Sequence, residues 1–111
     1  MAWQAKYHDE ALGDLDRLDA SVRSMVLKGI KKVLVNPLPR TDGGYGRPLH
    51  NHNSSKLAGY CSIKFSKLGL RVVYRPAIKN SVMYIVVISV RADGEVYTEA
   101  EKRLKHDPGP T

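Results

Sequence analysis

The sequence predicts an α+β domain, βααβββα in order: an antiparallel-rich, four-stranded sheet with its helices segregated on one face. Three observations predict this. Apolar residues recur at helical spacing in the first third of the chain, and they alternate with a period of two from Leu57 to Arg75. Then Val82 to Val90 is almost continuously apolar, the pattern of a strand buried on both faces. A chain of 111 residues that is 42% apolar suits one domain with one modest core. The domain is placed at residues 1–106, with 107–111, rich in proline and glycine, as a flexible tail.

The elements follow in order. Trp3, Ala5 and Tyr7 share one side of a short, half-buried strand. Ala11, Leu12, Leu15 and Leu18 make the stripe of a first helix, with Asp9 or Glu10 at its positive end. Asp19 suits the cap of a second helix, whose stripe is Val22, Val26, Ile30 and Val33, and Asn36-Pro37 stops it. The near-absent connector predicts a tight antiparallel hairpin. Residues 36–56 hold three prolines and three glycines and read as one long loop, of the kind that is functional or mobile. In the next strand Leu57, Cys61, Ile63 and Phe65 face one way, and Tyr60, Ser62 and Lys64 the other. Ser66-Lys67-Leu68-Gly69 is a hairpin turn, after which Leu70, Val72 and Tyr74 alternate with Arg71, Val73 and Arg75. Lys79-Asn80 turns the chain into the apolar strand, whose free edge the N-terminal strand can cover. A last helix spans roughly residues 95–105.

Charge narrows the function. The net charge is +7 and unevenly spread. From Arg40 to Arg91 nine basic residues face one acid, Asp42, whereas the first 35 residues hold six bases and five acids. A one-signed stretch of this kind implies a polyanion or an acidic partner. No apolar run approaches the roughly 20 residues that span a bilayer. The N-terminus carries no apolar leader block, and the single cysteine, Cys61, cannot form an internal disulfide, so the cytoplasm is expected.

Strand parity brings the cations together. Lys64 points away from Ile63 and Phe65, and Arg71 away from Leu70 and Val72, so a hairpin turning at 66–69 sets both on one open face. Arg91 ends the following strand, and Tyr97 begins the last helix. RNA can be cut without a metal, because its own 2′-OH attacks the adjacent phosphate. The protein must remove that proton, stabilise the phosphorane and protonate the leaving 5′-oxygen. Fixed cations meet the second need, and arginine matches phosphate bidentately. Clustered positive charge also lowers the pKa of a neighbouring Lys or Tyr toward a working base. By spacing alone, these residues could equally be solvated strand faces and a structural tyrosine.

At this point the sequence resembles a known family, the RelE-type mRNA interferases of the RelE/ParE toxin superfamily. The most specific stretches are Ile63-Lys64-Phe65, Gly69-Leu70-Arg71-Val72-Val73-Tyr74, Val87-Ile88-Ser89-Val90-Arg91 and Glu95-Val96-Tyr97. Lys56-Leu57-Ala58-Gly59, Val22-Arg23 and Asn36-Pro37 also match in order and spacing. The resemblance implies the RelE-like fold and the toxin half of a type II toxin–antitoxin pair. It implies a ribosome-dependent endoribonuclease that cleaves mRNA in the A site, with no cofactor and no metal. Lys64, Arg71, Arg91 and Tyr97 fall on positions that the family uses for catalysis. Arg71 would hold the phosphate, Arg91 would stabilise charge or protonate the leaving group, and Lys64 or Tyr97 would activate the 2′-OH. The basic faces, with Arg40, Arg47, Lys56, Lys67 and Arg75, would bind ribosomal RNA. A cognate antitoxin would block the toxin, and the complex would bind operator DNA. The family often has a second lysine where this chain has Ser62, which by parity projects beside Lys64 toward the phosphate.

Other residues fit blander roles. His50 and His52, without Cys, Asp or Glu nearby, fall short of the three or four ligands of a zinc site, and could touch RNA from the loop. His8 and His106 read as surface residues, Cys61 as a buried, inert thiol, and Trp3 and Tyr7 as core. Tyr60 shares the face of Lys64 and is a candidate for stacking on a base. Two rival functions remain in view: a ParE-like gyrase inhibitor on the same fold, and a nucleic-acid-binding module without catalysis. A retained Lys64–Arg71–Arg91–Tyr97 set speaks against the first.

Overall fold

A computed structural model describes residues 2–49, 57, 59–90 and 93–110. It contains β1 (Gln4–Tyr7), α1 (Asp9–Asp16), α2 (Ala20–Leu34), β2 (Arg47–Pro48), β3 (Cys61–Phe65), β4 (Leu70–Ala77), β5 (Val82–Ser89) and α3 (Asp93–His106). Their strands form one sheet in the order β1-β5-β4-β3-β2. β1 runs parallel to β5 and covers its edge, as expected, and the other pairs are antiparallel. The sheet has one strand more than predicted. β2 is two residues long, lies inside the expected loop, and pairs Arg47 with Ser62 and Pro48 with Cys61. A pair of residues has no readable period, and Pro48 is tolerated because β2 is an edge.

The α+β class holds, but the helices do not share one sheet face. Val26, Ile30 and Val33 of α2 and Ala11 of α1 pack with Cys61, Leu70, Val72, Tyr74, Met83, Ile85 and Ile88 on one side. Val96 and Ala100 of α3 pack with Val73, Val82, Tyr84, Val86 and Val87 on the other. The reason lies in β5, where residues 82–88 are all buried. A strand apolar on both sides needs cover on both sides, and α3 supplies the second. Leu57, expected beside Cys61, joins Tyr60 in the α3-side core instead.

A bulge in β5 sets which residue faces which core. Val73 pairs with Val87, yet Tyr74 pairs with Ile85, so Val86 is inserted. Val86 and Val87 therefore both reach the α3 side, and the alternation restarts one step late with Ile88.

The helix ends depart from the expected caps. Asp19 occupies the N-cap of α2, but its carboxylate accepts from Ser21 Oγ at 2.7 Å rather than from the helix backbone. The N-cap of α1 is His8, which is 4% exposed and so is not the surface residue expected. Its Nδ1 accepts the Glu10 N–H at 3.1 Å, which leaves the proton on Nε2 to donate to the Arg103 carbonyl at 3.1 Å. Arg23, from α2, donates to the carbonyls of Leu15, Asp16 and Leu18, closing the C-terminal end of α1.

Candidate active site

The β3–β4 hairpin closes through a tight turn at Ser66–Leu68 and Gly69, whose φ of 62° is a left-handed conformation glycine adopts without strain. This turn puts Lys64 directly opposite Arg71, and Arg71 directly opposite Ser89 on β5. One row across three strands thus reads Lys64, Arg71, Ser89, on the face away from α1 and α2. Lys64, Arg71 and the turn residues Ser66 and Gly69 line a shallow open cleft. Two cations directly opposite on adjacent strands repel, and such pairs destabilise a sheet.

Tyr97 lies on α3 and packs against the core on this same side of the sheet. The position of α3 is set by an ionic node. Arg103, 6% exposed, donates from Nη1 and Nη2 to the two oxygens of Asp14 at 2.6 and 3.1 Å, and from Nε to Glu99 at 2.8 Å. Arg103 also donates to the Val86 carbonyl at 2.9 Å, and Asp14 accepts the Ile88 N–H at 3.0 Å. β1 has ended by this point of β5, so two side chains do the hydrogen bonding that a neighbouring strand would do. The carboxylates of Asp14 and Glu99 hold the Arg103 guanidinium above its ordinary pKa, against the opposing pull of burial. Nothing in the local pattern marks Asp14 or Arg103, because each sits on its helix as an ordinary charged residue.

Of the other candidates, Arg91, Lys56, His50 and His52 lie outside the described residues. Arg40, Arg47 and Lys67 are exposed. Arg47 stands across from Ser62, and thus on the face of Lys64 and Arg71. Arg75 shares that face but is engaged: its guanidinium lies 6.0 Å from the Tyr60 ring centroid and donates to the carbonyls of Pro108 and Pro110. Two expectations change. Tyr60 is 8% exposed and packed in the α3-side core, so it offers no free ring to a base. Ser62 is 6% exposed, held between Arg47 and Val73 on the flanking strands, so it does not open toward a phosphate. Cys61 is buried as expected, and desolvation pushes its thiol up to about 11, which keeps it protonated and unreactive.

No family model matches the chain. The mRNA interferase toxin RelE of Escherichia coli K12 is 27% identical over 104 residues, spanning 94% of this chain and 99% of that relative. A variant of Escherichia coli toxin RelE, solved in the free state, superposes with a TM-score of 0.72 at 26% identity, covering 94% of this chain and 99% of that one. The fold is shared with an Escherichia coli RelE variant in complex with a peptide of the antitoxin RelBc, with a TM-score of 0.68 at 24% identity over 90% and 95% of the two chains. Over 94% of its length this chain is similar, in sequence and in fold, to toxins of the RelE type.

Proposed function

We propose that this protein is the toxin of a type II toxin–antitoxin pair, an endoribonuclease that cleaves mRNA in the ribosomal A site without a metal. The observation that carries this reading is the Lys64–Arg71 pair, opposed across the hairpin on an open face. Like charges so placed repel, and a phosphate between them would receive charged donors from both. A phosphorane carries two negative charges, and the mRNA interferase name of the relative supplies the substrate class.

In this mechanism the 2′-OH attacks the adjacent phosphorus, and Lys64 or Tyr97 takes its proton. Arg71 holds the phosphate oxygens as negative charge develops there. Arg91 stabilises the same charge or protonates the departing 5′-oxygen. The P–O5′ bond breaks, leaving a 2′,3′-cyclic phosphate on one fragment and a 5′-OH on the other. The protein acts in the cytoplasm, where its ribosomal substrate is. Arg40, Arg47, Lys56 and Lys67 bind ribosomal RNA. An antitoxin covers the basic face, as supported by the antitoxin complex of the RelE relative, and the toxin–antitoxin complex binds operator DNA.

The test is cleavage of a defined mRNA, with and without programmed ribosomes, in the presence and absence of EDTA at a magnesium level that keeps ribosomes intact. Cuts confined to the A-site codon, seen only with ribosomes and ending in 2′,3′-cyclic phosphate, are expected. A free 3′-OH end, or activity lost with the trace metal, overturns the mechanism. Intact mRNA together with inhibited gyrase would assign the ParE-like activity instead.

A further inference from the structure

The loop before β2 is built with more order than its composition suggests, and it displays one aromatic ring. The backbone N–H of Tyr45 donates to the Asn36 carbonyl at 2.9 Å, Gly46 N–H to Leu38 at 2.9 Å, Arg40 N–H to Gly46 at 2.8 Å, and Gly44 N–H to Pro39 at 3.1 Å. Gly44 and Gly46 pack so closely, against the Leu38 carbonyl and the Tyr74 hydroxyl, that a Cβ would collide at either. Tyr74 in turn donates to the Pro37 carbonyl at 2.7 Å from the core. This scaffold holds Tyr45 with 57% of its surface exposed. Its ring is therefore open to a partner, on a loop whose backbone is held by these hydrogen bonds.

Its location says what covers it. Gly46 faces Cys61 and Tyr74, on the α2 side of the sheet. Arg47, the next residue, stands across from Ser62 and so lies on the opposite side, that of Lys64 and Arg71, and Tyr45 on the other flank of the buried Gly46 is exposed as Arg47 is. The partner of Arg47, Ser62, is two residues from Lys64 on the same face of β3. Arg40 and Arg47 are exposed on the same loop, with Asp42 the one acid between them. An aromatic face flanked by guanidinium groups suits a single-stranded nucleotide: the ring stacks on the base and the cations take the phosphates.

We infer that Tyr45 is a stacking platform for an unpaired RNA base next to the scissile phosphate, with Arg47 bridging the platform to the Lys64–Arg71 site. This deepens the proposed function and rests on it. Stacking contributes to holding the strand rather than to the chemical step, so its loss appears in binding.

The experiment is single-turnover cleavage of an A-site codon on programmed ribosomes, titrating wild type, Tyr45→Phe and Tyr45→Ala. The half-saturating toxin concentration is expected to rise about ten-fold in Tyr45→Ala, with the rate at saturation held within about two-fold, while Tyr45→Phe follows wild type. Thermal midpoints within about 2 °C of wild type accompany this, because the ring is exposed. Tyr45→Ala behaving as wild type overturns the inference. Tyr45→Phe failing as badly as Tyr45→Ala also does, since the hydroxyl and not the ring face would then be at work. Unchanged cleavage with weakened antitoxin binding assigns the ring to a protein partner and overturns it too. A wild-type protein that cuts no RNA sinks the functional reading itself, which is a separate result.

Discussion

Lys64 and Arg71 are the pair on which the proposed function rests, and one step of strand parity sets both on the open face. Opposed like charges on neighbouring strands cost stability, on the order of a few tenths of a kcal/mol. Lys64→Gln should therefore unfold at slightly higher urea than wild type while losing RNA cleavage, and Arg71→Ala should lose about 10²–10³ in rate with its circular dichroism intact. Equal toxicity of both variants at equal expression would remove the two residues from the site. This pair was legible in the sequence, because alternation alone decides which way a strand residue points. Ser62 obeys the same parity yet is covered by its neighbours, and Tyr60 is folded into a core. Parity gives a direction, not an exposure; exposure depends on which distant element lies over that face.

At the level of elements, the attachment of α3 rests on the Asp14–Arg103 pair. Both groups are buried, and the two charges satisfy each other as well as the free backbone groups of Val86 and Ile88. Breaking such a pair from one side leaves an uncompensated charge, at about 3–5 kcal/mol. Asp14→Ala should lose that much in urea denaturation and expose the Ile88 amide to hydrogen exchange. Adding Arg103→Met should restore part of the loss; strictly additive effects would show that the two side chains are not coupled. A second element-level prediction concerns Gly29 in the middle of α2. Alanine in place of a helical glycine ordinarily stabilises by about 1 kcal/mol. Here the Phe65 ring fills the space a Cβ would take, so Gly29→Ala should lower the thermal midpoint, with a cost of about 1–3 kcal/mol. A raised midpoint would mean that Phe65 moves aside freely.

For the molecule as a whole, the groups that the sheet buries set its alkaline limit. Desolvation pushes the Cys61 thiol up to about 11 and the Tyr84 hydroxyl up to about 12, and Tyr74 also upward. The unfolded chain ionises Cys61 near its ordinary value of about 9, while the folded chain keeps the proton. The folded state then binds more protons, so its stability is intact below pH 9 and declines as pH rises toward 11. Cys61→Ala should flatten that part of the stability–pH curve, measured by urea midpoints at fixed ionic strength. An unchanged slope would place the alkaline sensitivity in the tyrosines alone. The excess positive charge acts at the same scale: under the proposed function it would speed encounter with RNA or an acidic antitoxin, in a way that salt screens.

By itself the sequence determined the kind and order of the main elements, the hairpin turn, the parity of Lys64 and Arg71, and the basic character of one half of the chain. These follow from local periodicity and turn chemistry, which act over a few residues. Tertiary structure alone decided that α3 lies opposite α1 and α2, that Val86 bulges, and that a two-residue strand forms in the loop. It also decided that His8, Asp14 and Arg103 are interior, and that Tyr45 rather than Tyr60 is open. The physical reason is separation along the chain. Asp14 meets Arg103 across 89 positions and His8 meets it across 95. A charged residue on an amphipathic helix looks the same in sequence whether water or another helix completes its hydrogen bonds.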